Sequence, residues 1–277
     1  GSNFCKKSTE LKYHEKLTIE EVKIFLVPAG HVLGSAQVVM NFADQVITVS
    51  GDYKRQDDPT CAAFEPIKSD IFITEATFAL PVFKHPNANT QINLLIKSIQ
   101  NFPERCHVIG VYSLGKAQRL IKMLRNNGWH NTIYLHGSLV KICNLYEKFG
   151  IDLGDLEPAT IKDKPEKPHD FYKGKLILAP PSALADRWSR RFPDPILGMA
   201  SGWMTVKQRA KQRGINLPLI LSDHADWNEI LTTIKEVSPK EVWITHGAEE
   251  ALIYECSKNN LTAKALSIIG YESDTDL

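Results

Sequence analysis

The chain has 277 residues, 43% of them hydrophobic and 23% charged, and its 33 Lys and Arg against 32 Asp and Glu give a net charge of +1. This length can bury a substantial core in one large or two modest domains, and the composition is that of a globular protein. A near-neutral balance excludes chain-wide attraction to phosphate, and no apolar run nears the ~20 residues that span a bilayer.

From residue 21 to 75 the sequence reads as four strands, VKIFLV, SAQVVMNF, QVITVS and DIFITEAT, separated by Pro, Gly and Asp turn signals. The rhythm then changes. NTQINLLIKSIQNF has helical periodicity, HVIGVYS is a buried-type strand, and GKAQRLIKMLRNNG is a helix closed by Gly128. TIYL is a further strand, followed by the helix SLVKICNLYEKFG. Residues 151–174, rich in Pro and charge, read as a surface loop. The alternation resumes with KLILAP, a helix over 181–191, ILGMAS and LPLILS, then a helix near 226–236 and the strand EVWITH. Such alternation implies βαβ units on a parallel sheet, here inserted between two flanks.

Five cysteines (Cys5, Cys61, Cys106, Cys143, Cys256) are scattered and form no C-x-x-C pair. They point to reduced thiols in a cytoplasmic protein and away from a cysteine-bound zinc. One basic cluster stands out: Arg187, Arg190, Arg191, Lys207, Arg209, Lys211 and Arg213, interrupted by a single acid, Asp194. It suits a phosphate track or equally a set of solvated faces.

The apolar strands share a habit of ending in His or an acid. His31, Asp52, Glu75, Asp223-His224 and His246 all sit at such ends, where a layered sheet would gather them on one edge. Imidazole and carboxylate without thiolate suit a catalytic divalent metal, zinc above all. Ser113, Gly115 and Lys116 lie where a strand meets a helix N-terminus, a place suited to phosphate or simply an ordinary helix start. His136 also ends a strand before Gly, Trp203 is either a base-stacking or a core residue, and Asp226 either orients His224 or caps a helix.

The ordered set PAGHVLGSAQV, VSGDYKR, TEATF, SDHADW and ITHG resembles the motifs of β-CASP nucleases of the metallo-β-lactamase fold. GDYKRQDDPTCAAFEP, YSLGKAQRLI, LAPPSALADRW and ASGWM resemble the bacterial ligase-associated DNA exonucleases in particular, and the resemblance runs from about residue 20 to 270. It implies an α/β fold: an αββα sandwich in two parts, 1–80 and 216–277, interrupted by a parallel α/β β-CASP domain over 81–215. It also implies two zincs, with His31 and Asp52 on one, Asp52 and His246 on the other. His224 would protonate the leaving oxygen, oriented by Glu75, while Ser113, Lys116, Arg187, Arg190 and Arg191 would hold DNA. The family's H-x-H-x-D-H motif has no counterpart, since no two of the nine histidines are two apart. The sandwich is therefore expected to be incomplete at its N-terminus and the fragment inactive alone. The implied activity is zinc-dependent exonucleolytic trimming of DNA ends in repair, functionally partnered with a DNA ligase. An RNA-processing nuclease of the same fold and a non-catalytic nucleic-acid-binding module are the alternatives.

Overall fold

The structure, a computed structural model, describes residues 9–159, 171–192 and 194–266. Residues 160–170 of the expected surface loop 151–174 lie outside the described residues, while Leu156–Pro158, read as loop, forms a strand because it pairs in register with Ile133–Leu135. No helix among the described residues is long and apolar enough to cross a membrane.

The β-branched flanks build one seven-stranded sheet. It comprises β1 (Lys16–Ile19), β2 (Val22–Pro28), β3 (Ala36–Phe42), β4 (Gln45–Val49), β5 (Ile71–Ala76), β12 (Glu241–Gly247) and β13 (Thr262–Ala265), side by side in that order. The first four strands run antiparallel, joined by turns short enough for hairpins. From β4 onward the pairing is parallel. The middle of the chain forms a second, wholly parallel sheet of β6 (His107–Gly110), β7 (Ile133–Leu135), β8 (Leu156–Pro158), β9 (Leu176–Ala179), β10 (Ile196–Ala200) and β11 (Leu217–Leu219). Its helices are α1 (Ala88–Asn101), α2 (Lys116–Asn126), α3 (Gly137–Lys148) and the short α4 (Pro181–Leu184) and α5 (Lys207–Gln212), while α6 (Trp227–Val237) and α7 (Glu249–Lys258) flank the first sheet. The mixed α/β class expected from the strand–helix rhythm is what forms.

Period-two alternation decides where the first sheet buries its apolar side chains. Phe72, Val242 and Ile244 face α6 and α7 and pack with Ile230, Ile234 and Leu252. On the opposite face the register lines up Ile24, Met40, Ile47 and Ile71 in one row and Leu26, Val38, Val49, Ile73 and Trp243 in the next. All of these remain partly exposed.

The two sheets are locked together by buried charge. Arg119, beside Leu120 and Ile121 of the apolar stripe of α2, is fully buried. Its guanidinium donates to the Ser222 carbonyl at 2.6 Å and to the Asp57 carbonyl at 3.2 Å, two segments belonging to the other layer. Its Nε lies 3.8 Å from Asp58, which is itself paired at 2.5 Å with the buried Lys54. Arg119→Ala should leave two buried carbonyls without their donor, with Asp58 still held by Lys54, costing about 2–5 kcal/mol in denaturant unfolding. Arg119→Lys should recover little of this, because an ammonium cannot fork toward the same acceptors.

Candidate active site

His31 leaves β2 on a turn that demands glycine. Gly30 has φ of +72°, and a Cβ there would meet the Lys54 carbonyl oxygen at 2.5 Å. The turn therefore folds directly onto the segment after β4 that carries Asp52. Lys54 Nζ donates back to the His31 carbonyl at 3.1 Å. His31 Nε2 lies 3.8 Å from Asp52 Oδ2, and the ring of His224 comes in with its centroid 4.8 Å from that of His31. Donor atoms of His31, Asp52 and His224 all lie within 4.8 Å of one another.

Both imidazoles are held from behind. The Asp223 carbonyl, 2.9 Å from His31 Nδ1, can only accept, so Nδ1 carries the proton and Nε2 keeps its lone pair toward Asp52. Glu75 Oε2 sits 2.8 Å from His224 Nδ1. The Glu75 carboxylate is buried and also accepts from the Tyr53 amide at 2.7 Å and the Thr77 hydroxyl, which fixes its orientation. An acceptor behind each imidazole is the support that metal-binding histidines carry. With one carboxylate and two such imidazoles, the donor set fits zinc. His224 is a third candidate donor beyond the His31 and Asp52 that sequence reading assigned to one metal.

Burial by itself would lower the proton affinity of His224. The hydrogen bond and charge of Glu75 outweigh it, Asp52 and Asp223 add to the same side, and the net shift is upward. For the buried Asp223, desolvation pushes the carboxyl up, but Lys116, Lys54 and Arg119 hold it below its ordinary value.

His31, Asp223 and His224 line a cleft of about 350 Å³ between the layers, which Ser113 and Lys116 also reach. Lys116 is buried and paired with Asp223 at 3.2 Å, so its charge is engaged in the wall of the cleft. Phe78 and Trp203 form the apolar side, their ring centroids 4.9 Å apart, and Arg209 lies 4.1 Å over the indole. Trp203 is thus wall and lining at once.

Other expected residues stand apart. His246 is exposed at the end of β12, on a bulge between Thr245 and Gly247 with a φ of +60°, and is not among the donors that converge at His31, Asp52 and His224. Gly247 permits that bulge, since a Cβ there would strike the Ala76 carbonyl oxygen at 2.1 Å. Arg187 and Arg190 are exposed around the turn Ser189–Arg191, and Arg191 folds onto Trp188, donating to its carbonyl at 2.9 Å. Asp226 caps α6, accepting from the Glu229 amide at 2.9 Å and the His85 amide at 2.7 Å. His136 caps α3 and stacks edge-on against Trp188. Sequence reading missed Lys54, Asp58 and Arg119. No local signal marked them: the apolar stripe of α2 is Ala117, Leu120, Ile121 and Leu124, and Arg119 lies beside it.

In metal-free protein, the His224 ring should titrate above the ordinary ~6.5, and Glu75→Gln should bring it down. The pair then contributes stability that is complete below pH ~6.5 and is lost as pH rises through the folded-state value. NMR titration of the ring protons, beside unfolding free energies of both proteins across that range, checks this. An unchanged His224 titration in Glu75→Gln would remove Glu75 from the role.

Residues 218–257, which contain His224 and His246, match the zinc-dependent metallo-hydrolase RNA specificity domain. The chain is 26% identical over 265 residues, 91% of its length, to a probable DNA ligase of Opitutus terrae, covering 24% of that protein. It is 33% identical over 146 residues to cleavage and polyadenylation specificity factor 73 of Drosophila melanogaster, a match covering 50% of this chain and 21% of that one. The chain thus spans about a quarter or less of the length of these relatives. A protein of unknown function from Enterococcus faecalis V583 shares the fold, with a TM-score of 0.60 at 13% identity over 96% of this chain and 67% of that one. With the ordered strand-end residues and the paired sheets, these likenesses mean that the chain belongs to the metallo-β-lactamase/β-CASP nuclease family and is related to its ligase-associated members.

Proposed function

We propose that this protein is a zinc-dependent phosphodiesterase that trims DNA ends as an exonuclease in repair, acting in the cytoplasm alongside a DNA ligase. The convergence of His31, Asp52 and His224, each imidazole braced through Nδ1, at the wall of the inter-sheet cleft carries this reading. Likeness to a protein named as a probable DNA ligase supports the DNA and ligase side.

Zinc, when bound, supplies electrostatic stabilisation of the phosphoryl oxygens and activates water for in-line attack. Of the three convergent donors, His31 and Asp52 would hold it, leaving His224 for the proton. His246, the remaining imidazole on this sheet edge, is reserved for a second ion. His224, made more basic by Glu75, holds a proton at the cleft wall and delivers it to the departing oxygen. Ser113, at the mouth of α2, and the cation of Lys116 steady the phosphate backbone, with Arg187, Arg190 and Arg191 as a more distant basic flank.

In the full-length protein, Asp52→Ala should lose zinc and activity together. His224→Ala should keep zinc, measured by elemental analysis after dialysis, while turnover falls roughly 10²–10⁴-fold. Loss of zinc in His224→Ala would make it a metal ligand instead of the acid.

RNA is the second reading, favoured by the match to an RNA specificity domain and the likeness to a cleavage and polyadenylation factor. One labelled strand offered as DNA and as RNA decides between them. Stepwise shortening of the DNA strand is expected, and faster breakdown of the RNA strand would move the assignment to RNA processing.

A further inference from the structure

Two residues past β6, Tyr112 projects a large apolar ring that is 52% exposed, beside Leu114, 53% exposed. Its main chain is anchored, with the Tyr112 carbonyl accepting from the Ala117 amide at 3.1 Å on the first turn of α2. The ring lies in the wall of the cleft that holds His31 and His224. It also lines a second groove of about 610 Å³ formed with Pro181, Leu184, Met199, Gln212 and Arg213. Tyr112 is therefore the residue the two depressions share. Lys116 Nζ lies over the ring at 4.6 Å from its centroid, which occupies one face with a cation and leaves the other open.

An exposed aromatic face beside a groove that carries a cation, here Arg213, is the pairing that binds single-stranded nucleic acid, in which bases stack while phosphates follow the cations. We propose that Tyr112 is a stacking platform for an unpaired base of the substrate strand, and that the strand passes over it from the His31–His224 cleft into the groove bearing Arg213. This rests on the nuclease reading of the same site and names what that reading lacks: the direction the strand takes, and its single-stranded form over Tyr112. A base inside a duplex is stacked on both faces by its neighbours, so the contact selects a strand whose end is unpaired and free to unstack.

The test is fluorescence anisotropy on protein kept metal-free with EDTA, using a short fluorescein-labelled deoxythymidine strand. Tyr112→Ala should raise Kd by roughly 5- to 150-fold, the usual loss for one base stack. Tyr112→Phe and Tyr112→Trp should bind as the wild type does. A strand of abasic residues should bind wild type and Tyr112→Ala alike, and so should a blunt duplex. If Tyr112→Ala binds the thymidine strand as wild type does, or weakens abasic strand and duplex just as much, the stacking role is overturned while the nuclease reading stands. Failure of the wild type to bind any of these strands overturns the nuclease reading itself. Circular dichroism of the variants, whose change is at an exposed side chain, verifies that they are folded.

Discussion

A guanidinium sealed between two sheets is the constraint on which the site depends. Arg119 has no access to solvent, so its charge is tolerated only while the Ser222 and Asp57 carbonyls and Asp58 stay within reach. Those partners come from segments far apart in the chain, and satisfying one cation brings them to a common point. Lys54 and Lys116 complete the cluster, giving three cations, Lys54, Lys116 and Arg119, against two carboxylates, Asp58 and Asp223. With Asp52 and the buried Glu75 beside them these cations are matched by carboxylates, so the charge is locked in pairs and not left in surplus.

The segment 222–224 shows how this lock is transmitted to the chemistry. The Ser222 carbonyl accepts from Arg119, the Asp223 side chain pairs with Lys116, and the Asp223 carbonyl fixes the proton of His31 on Nδ1. The next residue is His224 itself, held by Glu75. Helix α2 of the parallel sheet thereby sets the orientation of an imidazole belonging to the other sheet. Disturbing the helix would loosen the donors without touching any of them.

Across the cleft the environment is aromatic. Phe78 meets Phe83, His85 and Trp203 with centroids 4.9 Å away in each case, and its ring stands 6.1 Å from His224. An apolar wall on one side and a buried charge cluster on the other lower the local dielectric, which strengthens the hold of Glu75 on His224. Burial, helped by the charges of Lys116, His224 and Arg119 and opposed by Asp226, pushes the nearby His85 down to about 4. The contrast between two neighbouring histidines, one neutral and one drawn toward its charged form, comes down to which of them has a carboxylate on its ring.

Much of this was legible in the residues. Alternating β-branched runs predicted the strands, helical periodicity predicted α1, α2 and α3, and the strand-end His, Asp and Glu marked the edge where His31, Asp52, Glu75 and His224 meet. Lys54, Asp58 and Arg119 were not legible, because a charged side chain in a sequence reads as a solvated one until its partners are known. The division between His224 and His246 was also beyond local pattern, since the one-residue bulge that lifts His246 out of the β12 ladder is a matter of strand pairing. Asp226 could have been an orienting residue or a cap until its carboxylate was found on the Glu229 and His85 amides. Composition, periodicity and side-chain chemistry are local, so the sequence by itself determined the elements and the kind of donors. The contacts that make a site join His224 to Glu75 across 149 positions and His31 to Asp223 across 192. Only the packing of one sheet against the other decides such pairs, because register, bulges and buried charge act over the whole fold at once.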